Sequence, residues 1–177
     1  MRPPTALVKV GRAAVAVALS VLIFSVMEGQ MQATPTGEEV EARNKQMIQA
    51  GFDAWRNGTG GVFDLLAPEA TWTIVGNSPV SRTYRNRREF MEIVIEPFNA
   101  RMSRRLIPAV PAIYADGDVV IALFDAEATA RDGKPYRNTY TWYMRVRDER
   151  IVEVIAFFDT IEFTDLWTRV QPEPAGR

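Results

Sequence analysis

Cysteine and histidine are both missing from the 177 residues of this chain. Without cysteine there is no disulfide framework and no thiol chemistry. Without histidine the common imidazole metal site is absent, and so is any Ser-His-Asp or Cys-His relay. Acids and bases for catalysis must therefore come from Asp, Glu, Tyr, Lys or Arg. A strong charge bias is lacking too: 21 basic residues face 22 acidic ones. Residues 1–33 hold three of the basic side chains (Arg2, Lys9, Arg12) and one acid (Glu28), so the remainder is net −3. That balance argues against nucleic acid or an anionic membrane as partner. Internal repeats and low-complexity tracts are absent as well. What remains is ordinary globular composition, 47% hydrophobic and 24% charged, in a length suited to one domain with a real core.

Residues 1–33 read as an export signal. Basic residues precede Ala13–Val26, which is apolar apart from Ser20 and Ser25 and short for a membrane span. Ala33 supplies a small residue near a cleavage point, whereas Met31 departs from the pattern. An uncleaved inner-membrane anchor is the alternative. The expected location of the mature domain is the periplasm or outside the cell, with no membrane partner of its own. A linker is expected over 34–39, the domain over 40–170, and a disordered tail over 171–177.

Apolar residues at helical spacing (Met47, Ile48, Gly51, Phe52, Trp55) predict a helix from Val40 to Asn57, stopped by Asn57-Gly58. A short helix follows at Val62–Leu66, then strands at Thr71–Val75 and Ser81–Tyr84. Asn86 with Glu89 three residues on forms a capping box for another helix, which Pro97 should kink or end near Glu96. Four alternating segments then predict strands at Arg105–Ala115, Asp118–Ala130, Tyr136–Arg147 and Arg150–Ile161. Asp116-Gly117 and Asp132-Gly133 between them are hairpin signals. Thr164–Val170 adds a last helical turn. Helices ahead of an antiparallel meander mean α+β, with a sheet curled around the helices.

The helix ending in Asn57-Gly58, the segments LLAPEATWTIVG (65–76) and Tyr84-Arg85-Asn86, then DGKPYRNTYTWYMRV and IVEVIAFFDT carry a resemblance. Together they resemble the SnoaL-like and ketosteroid-isomerase-like branch of the nuclear transport factor 2-like superfamily, over roughly Val40 to Trp167. The resemblance implies a cone-shaped curved sheet around the amino-terminal helices, with a pocket for a small hydrophobic or amphipathic molecule. It also implies a homodimer through the outer sheet face. The steroid isomerases' catalytic positions correspond here to Ile74, the Gly51-Phe52 neighbourhood and the vicinity of Trp142, none of which carries that chemistry. Their standard mechanism is not expected. Limonene epoxide hydrolases and SnoaL-type cyclases place an essential Asp after an aromatic pair near the end of the last strand, which Phe157-Phe158-Asp159 resembles. The hydrolases' Arg-x-Asp pair is matched only by Asp125-x-Glu127, with Arg104 or Arg137 as available substitutes for the arginine.

Each candidate has a plainer reading. Asp159, against phenylalanine rings, is either a proton-transfer group or the cap of the turn that follows. Asp125 and Glu127 share one strand face with Val119, Ile121 and Leu123. This face is expected to form a pocket mouth, with Glu127 assisting Asp159, unless both acids are simply solvated. Asn138, Tyr140, Trp142 and Met144 share a face of the next strand. Tyr140 and Asn138 are candidate donors to a ligand oxygen, and Trp142, Trp55, Trp72, Phe98 and Phe158 are candidate lining. All of these also serve as core. Tyr84 is a candidate donor that more simply packs, and RMSRR (101–105) reads as solvated surface. The expectation is a small-molecule-binding domain acting as a cofactor-independent isomerase, cyclase or hydrolase, with no metal. The alternative is a non-catalytic ligand-binding or dimerisation module.

Overall fold

The computed structural model describes residues 35–172. The expected export signal and residues 173–177 lie outside them. Helix α1 (Gly37–Asn57) starts inside the expected linker, because Thr36 and Glu39 form a reciprocal capping box. Its buried residues Asn44, Ile48, Gly51 and Phe52 repeat at helical spacing and face the sheet. Gly51 lets the 3-10 turn Val62–Leu65 pack closely on the helix: a Cβ there would lie 2.8 Å from Leu65 Cδ1 and 3.4 Å from Val62 Cα. Gly58 closes the helix at φ 73°, in the left-handed region.

Strands β1 (Leu66–Ile74) and β2 (Thr83–Tyr84) follow, then the helical stretch α2 (Arg87–Phe90), a π-helical turn (Met91–Ile95) and α3 (Glu96–Asn99). Asn86 caps α2 by accepting from Glu89 N at 2.8 Å. Glu89 does not complete the expected box; its carboxylate accepts from Arg85 N instead. Pro97 does not end the helix. It has no N–H to give, and just before it the ladder widens to the π turn, with Glu96 N–H reaching back to Met91 O.

The meander is β3 (Met102–Asp116), β4 (Val119–Ala130), β5 (Pro135–Arg147) and β6 (Arg150–Phe158), followed by α4 (Thr160–Arg169). The expected last strand is three residues shorter, because Asp159 caps α4. The six strands run in the order β2-β1-β6-β5-β4-β3. Every neighbouring pair is antiparallel except β1–β6, which is parallel. Register shifts interrupt β3–β4, β5–β6 and β1–β6, and bulges of this kind bend a sheet. Pro108 is tolerated in β3 because β3 is an edge. The result is an unclosed, curved sheet in an α+β cone. Its concave face buries Val120, Ala122 and Phe124 of β4, Tyr140, Trp142 and Met144 of β5, and Val154 and Ala156 of β6. No helix among the described residues is long and apolar enough to cross a membrane.

Candidate functional site

Side chains on β5 alternate faces, so Tyr136, Asn138, Tyr140 and Trp142 all point into the cone and are buried. At the cone's centre is a cavity of about 60 Å³. Trp55, Trp72, Phe98, Tyr140, Trp142 and Phe158 are among the residues that line it. The rings interlock at aromatic-packing distances: Trp72 stacks on Phe90 at 4.2 Å, and Trp142 stands edge-on to Phe124 at 4.7 Å. Ile74 and Trp142, at positions matched to catalytic groups of the steroid isomerases, are apolar wall. Among the described residues, no Asp, Glu, Lys or Arg borders the cavity. Among the described residues no cluster of carboxylates could hold a metal.

Asn138 does not border the cavity. It extends the β5–β6 ladder past the end of β6 with its side-chain amide. Asp159 N donates to Asn138 Oδ1 and Asn138 Nδ2 donates to Asp159 O, both at 2.9 Å. These two bonds fix which end of the amide is which. The second Nδ2 proton goes to Tyr136 Oη at 3.0 Å. Tyr136 Oη in turn lies 2.9 Å from Tyr140 Oη. A buried polar chain thus runs from the Asp159 backbone through Asn138 and Tyr136 to Tyr140, which borders the cavity.

Counting protons along that chain is informative. The two phenols hold two hydroxyl protons, and one closes the bond between them. The other has no acceptor among the described residues. Tyr136 is 1% exposed and bordered by other groups, whereas Tyr140 faces the cavity. If Tyr136 donates to Tyr140, the unused donor is the Tyr140 O–H, aimed where a guest can accept it. Burial pushes the Tyr136 phenol up to about 12, despite the opposing hydrogen bonds from Tyr140 and Asn138. Burial, then the neighbouring Tyr136, holds the Tyr140 phenol well above the ordinary range. Both are neutral at physiological pH, so Tyr140 is a donor and not a base.

The acids expected to do chemistry stand elsewhere. Asp159 is exposed, and its carboxylate accepts from Ile161 N at 2.9 Å and Glu162 N at 3.4 Å as the cap of α4. The capping reading is the one realised. Glu127 is on the convex face, where it pairs with Arg137 at 2.9 Å, the two side chains 66% and 67% exposed. The expected pocket mouth on that face is therefore corrected. β4 buries Val120, Ala122, Phe124 and Ala126, and its other face, with Asp125 and Glu127, looks outward. Asp125 accepts from Thr139 on the same outer surface. Glu127 and Asp159 are not brought together at the cavity. Tyr84 donates to Val80 O and packs in the core.

Sequence reasoning missed Tyr136, although it shares strand parity with Asn138 and Tyr140. It also missed rings supplied by short helices: Phe63 from the 3-10 turn, Phe90 from α2 and Phe163 from α4. Phe63 and Phe90 sit in helical pieces of four residues, too short to show periodicity, and Phe163 falls between the expected last strand and the expected last helical turn.

Solved structures share this cone. An NTF2-like protein of unknown function from Burkholderia pseudomallei is 21% identical with a TM-score of 0.60, over 71% of this chain and 97% of its own. A putative SnoaL-like polyketide cyclase from Jannaschia sp. CCS1 is 13% identical with a TM-score of 0.60, over 77% of this chain and 99% of its own. TerC, co-crystallised with polyporic acid, is 18% identical with a TM-score of 0.57, over 70% of this chain and 97% of its own. At such identities the likeness shows the fold alone. No curated protein matches the sequence. The model of the SnoaL-like domain matches residues 48–154, which take in the second half of α1, the sheet through Val154 and the side chains of the polar chain on β5. With more than half its length matched and the cone in place, the chain belongs to the SnoaL-like domain family.

Proposed function

We propose that this domain binds a small, mainly apolar molecule bearing an oxygen acceptor, with that oxygen held by the Tyr140 hydroxyl. The observation that carries the reading is the Tyr140 phenol at the edge of a mainly apolar cavity, whose proton is available to a guest when Tyr136 is the donor in the bond between the two phenols. Burying an unpaired donor costs about 1–3 kcal/mol, which an acceptor on the guest recovers. The cavity holds no carboxylate to take a proton from the guest. Among the expected functions, this supports the ligand-binding module over proton transfer by Asp159 and Glu127. The family's small-ligand cone and the polyporic acid bound by TerC are consistent with an aromatic guest.

Tryptophan fluorescence tests it, because Trp55, Trp72 and Trp142 all border the cavity. A bicyclic aromatic ketone should quench them at lower concentration than the hydrocarbon of the same shape, by about tenfold. Tyr140→Phe should erase that difference while leaving hydrocarbon binding in place. Equal binding of ketone and hydrocarbon to the native protein would refute the reading.

The convex face supports a compatible second reading, contact with another copy of the chain. Cross-strand rows there place Leu123, Thr141 and Phe157 together, next to Ile121, Tyr143 and Ile155. Leu123, Tyr143, Ile155 and Phe157 are exposed. Charged groups flank the rows: Arg145 with Asp118 and Glu153 at one end, Glu127 with Arg137 at the other. An apolar centre with a charged rim is the usual anatomy of an interface. Light scattering should give a dimer mass, and Phe157→Glu should give a monomer. A native monomer at all concentrations would remove this reading.

A further inference from the structure

The inner cavity is small beside the sites that enclose drug-sized ligands, so part of a larger guest must lie outside it. Typical small-molecule sites enclose roughly 300–1,000 Å³, whereas this cavity offers about 60 Å³. A second, open cleft of about 390 Å³ lies against it. Trp55, Asn99 and Leu106 line both spaces, so the two adjoin along these residues. The cleft's other walls are Gly58, Gly60, Met102 and Arg105.

The two spaces differ in chemistry. The inner one offers rings, the Tyr140 hydroxyl and, where it meets the cleft, the Asn99 side chain. The outer one offers a guanidinium and no acid in its walls. Arg105 Nη1 donates to Trp55 O at 2.7 Å and Nη2 to Arg56 O at 2.6 Å, at the carboxyl end of α1. The helix end offsets part of its charge, on the order of half a unit. Arg105 pairs with no carboxylate among the described residues, and three of its five N–H donors are unused by those bonds. Gly58 leaves room beside it: a Cβ there would come within 3.5 Å of the guanidinium. Two acids near the loop are already engaged: the Asp64 carboxylate accepts from Gly61 N and lies 3.5 Å from Arg87, and Asp53 pairs with Arg56.

We propose that the ligand is an amphipathic carboxylic acid spanning both spaces. Its apolar, oxygen-bearing end enters the inner cavity beside Tyr140. Its carboxylate stays in the outer cleft, bonded to the free edge of Arg105. Trp55, between the two, packs on the middle of the molecule. The inference rests on the inner cavity being the binding site and adds the charge of the ligand and the position of its second end.

The test compares a naphthyl carboxylic acid with its primary amide, read by tryptophan quenching. At low ionic strength the acid should bind about tenfold tighter than the amide, as a charge-assisted bond gives. Added salt should shrink that ratio, because the cleft is open to water. Arg105→Gln should bring the ratio to about one, by weakening the acid far more than the amide. If that variant does not fold, the acid-to-amide ratio and its salt dependence in the native protein decide alone. Equal affinity for acid and amide, or a ratio that survives Arg105→Gln, overturns the inference and leaves the inner site standing. If neither naphthyl compound nor the bicyclic ketone binds, both readings fall together.

Discussion

The two faces of β5 are built from one run of thirteen residues, and they differ completely. The inner face, Tyr136 to Val146 at every second residue, is buried throughout and ends in a hydrogen-bonded chain of an amide and two phenols. The outer face carries Tyr143, exposed, and Arg137, Thr139 and Arg145, which are tied to Glu127, Asp125, Asp118 and Glu153 on neighbouring strands and the turn before β4. Pairing outside satisfies charges in water, where each bond contributes little. Pairing inside leaves one donor over, where each unpaired group matters. The number of ionisable groups on a surface is thus a poor guide to its chemistry. The leftover donor is a better one.

The sharpest way to break that contrast is to empty the inner face. Phe124 lies 4.8 Å from Phe52 and from Tyr140, centroid to centroid, and is fully buried. Phe124→Ala should destabilise the domain by about 3–5 kcal/mol, seen as a lower midpoint in urea. A loss below about 1 kcal/mol would mean that the cone is loosely packed.

Alkaline pH probes the polar chain next. Below the ordinary phenol pKa of about 10, Tyr136 is neutral folded and unfolded, so its burial carries no penalty from ionisation. Above it the unfolded phenol ionises while the folded one holds its proton up to about 12. Stability should therefore fall between pH 10 and pH 12, by on the order of 2–3 kcal/mol from this residue. Tyr136→Phe should flatten that part of the slope. A slope unchanged in the variant would show that Tyr136 is not the buried titrating group.

Asp159 gives a smaller effect and separates the cap from any proton-transfer role. Asp159→Ala should cost about 1 kcal/mol, whereas Asp159→Asn, also a good cap, should stay within a few tenths. A large loss in the Asn variant would mean that the charge itself is needed. Glu127→Gln should be the mildest. Its partner and it are both mostly exposed, so chemical denaturation should register less than about 1 kcal/mol.

Much of this arrangement was legible in the sequence. Two-residue periodicity and the Asp-Gly turns located the meander, and the aromatic rings at inward positions marked the cavity wall. The parallel join of β1 to β6 was not legible, because residues 66–74 and 150–158 pair across most of the domain and leave no local trace. The Asp148-Glu149 turn has φ of 49° and 57°, a left-handed geometry that glycine usually signals and here does not. Asp159 with Glu162 three residues later spells a helix start, yet the aromatic run before it reads as a strand continuing to Ile161. The outward facing of Glu127 was hidden because both faces of β4 carry apolar side chains: Ile121 and Leu123 on one, Ala122 and Phe124 on the other. Only packing against α1 decides between them.

The inner and outer accounts meet in one assay. Ketone and hydrocarbon binding should be compared across the native protein, Tyr140→Phe and Asp159→Asn. The ketone preference should vanish in Tyr140→Phe and persist in Asp159→Asn. Loss of the preference in Asp159→Asn, with Tyr140→Phe unaffected, would contradict the claim that the buried phenol holds the ligand's oxygen.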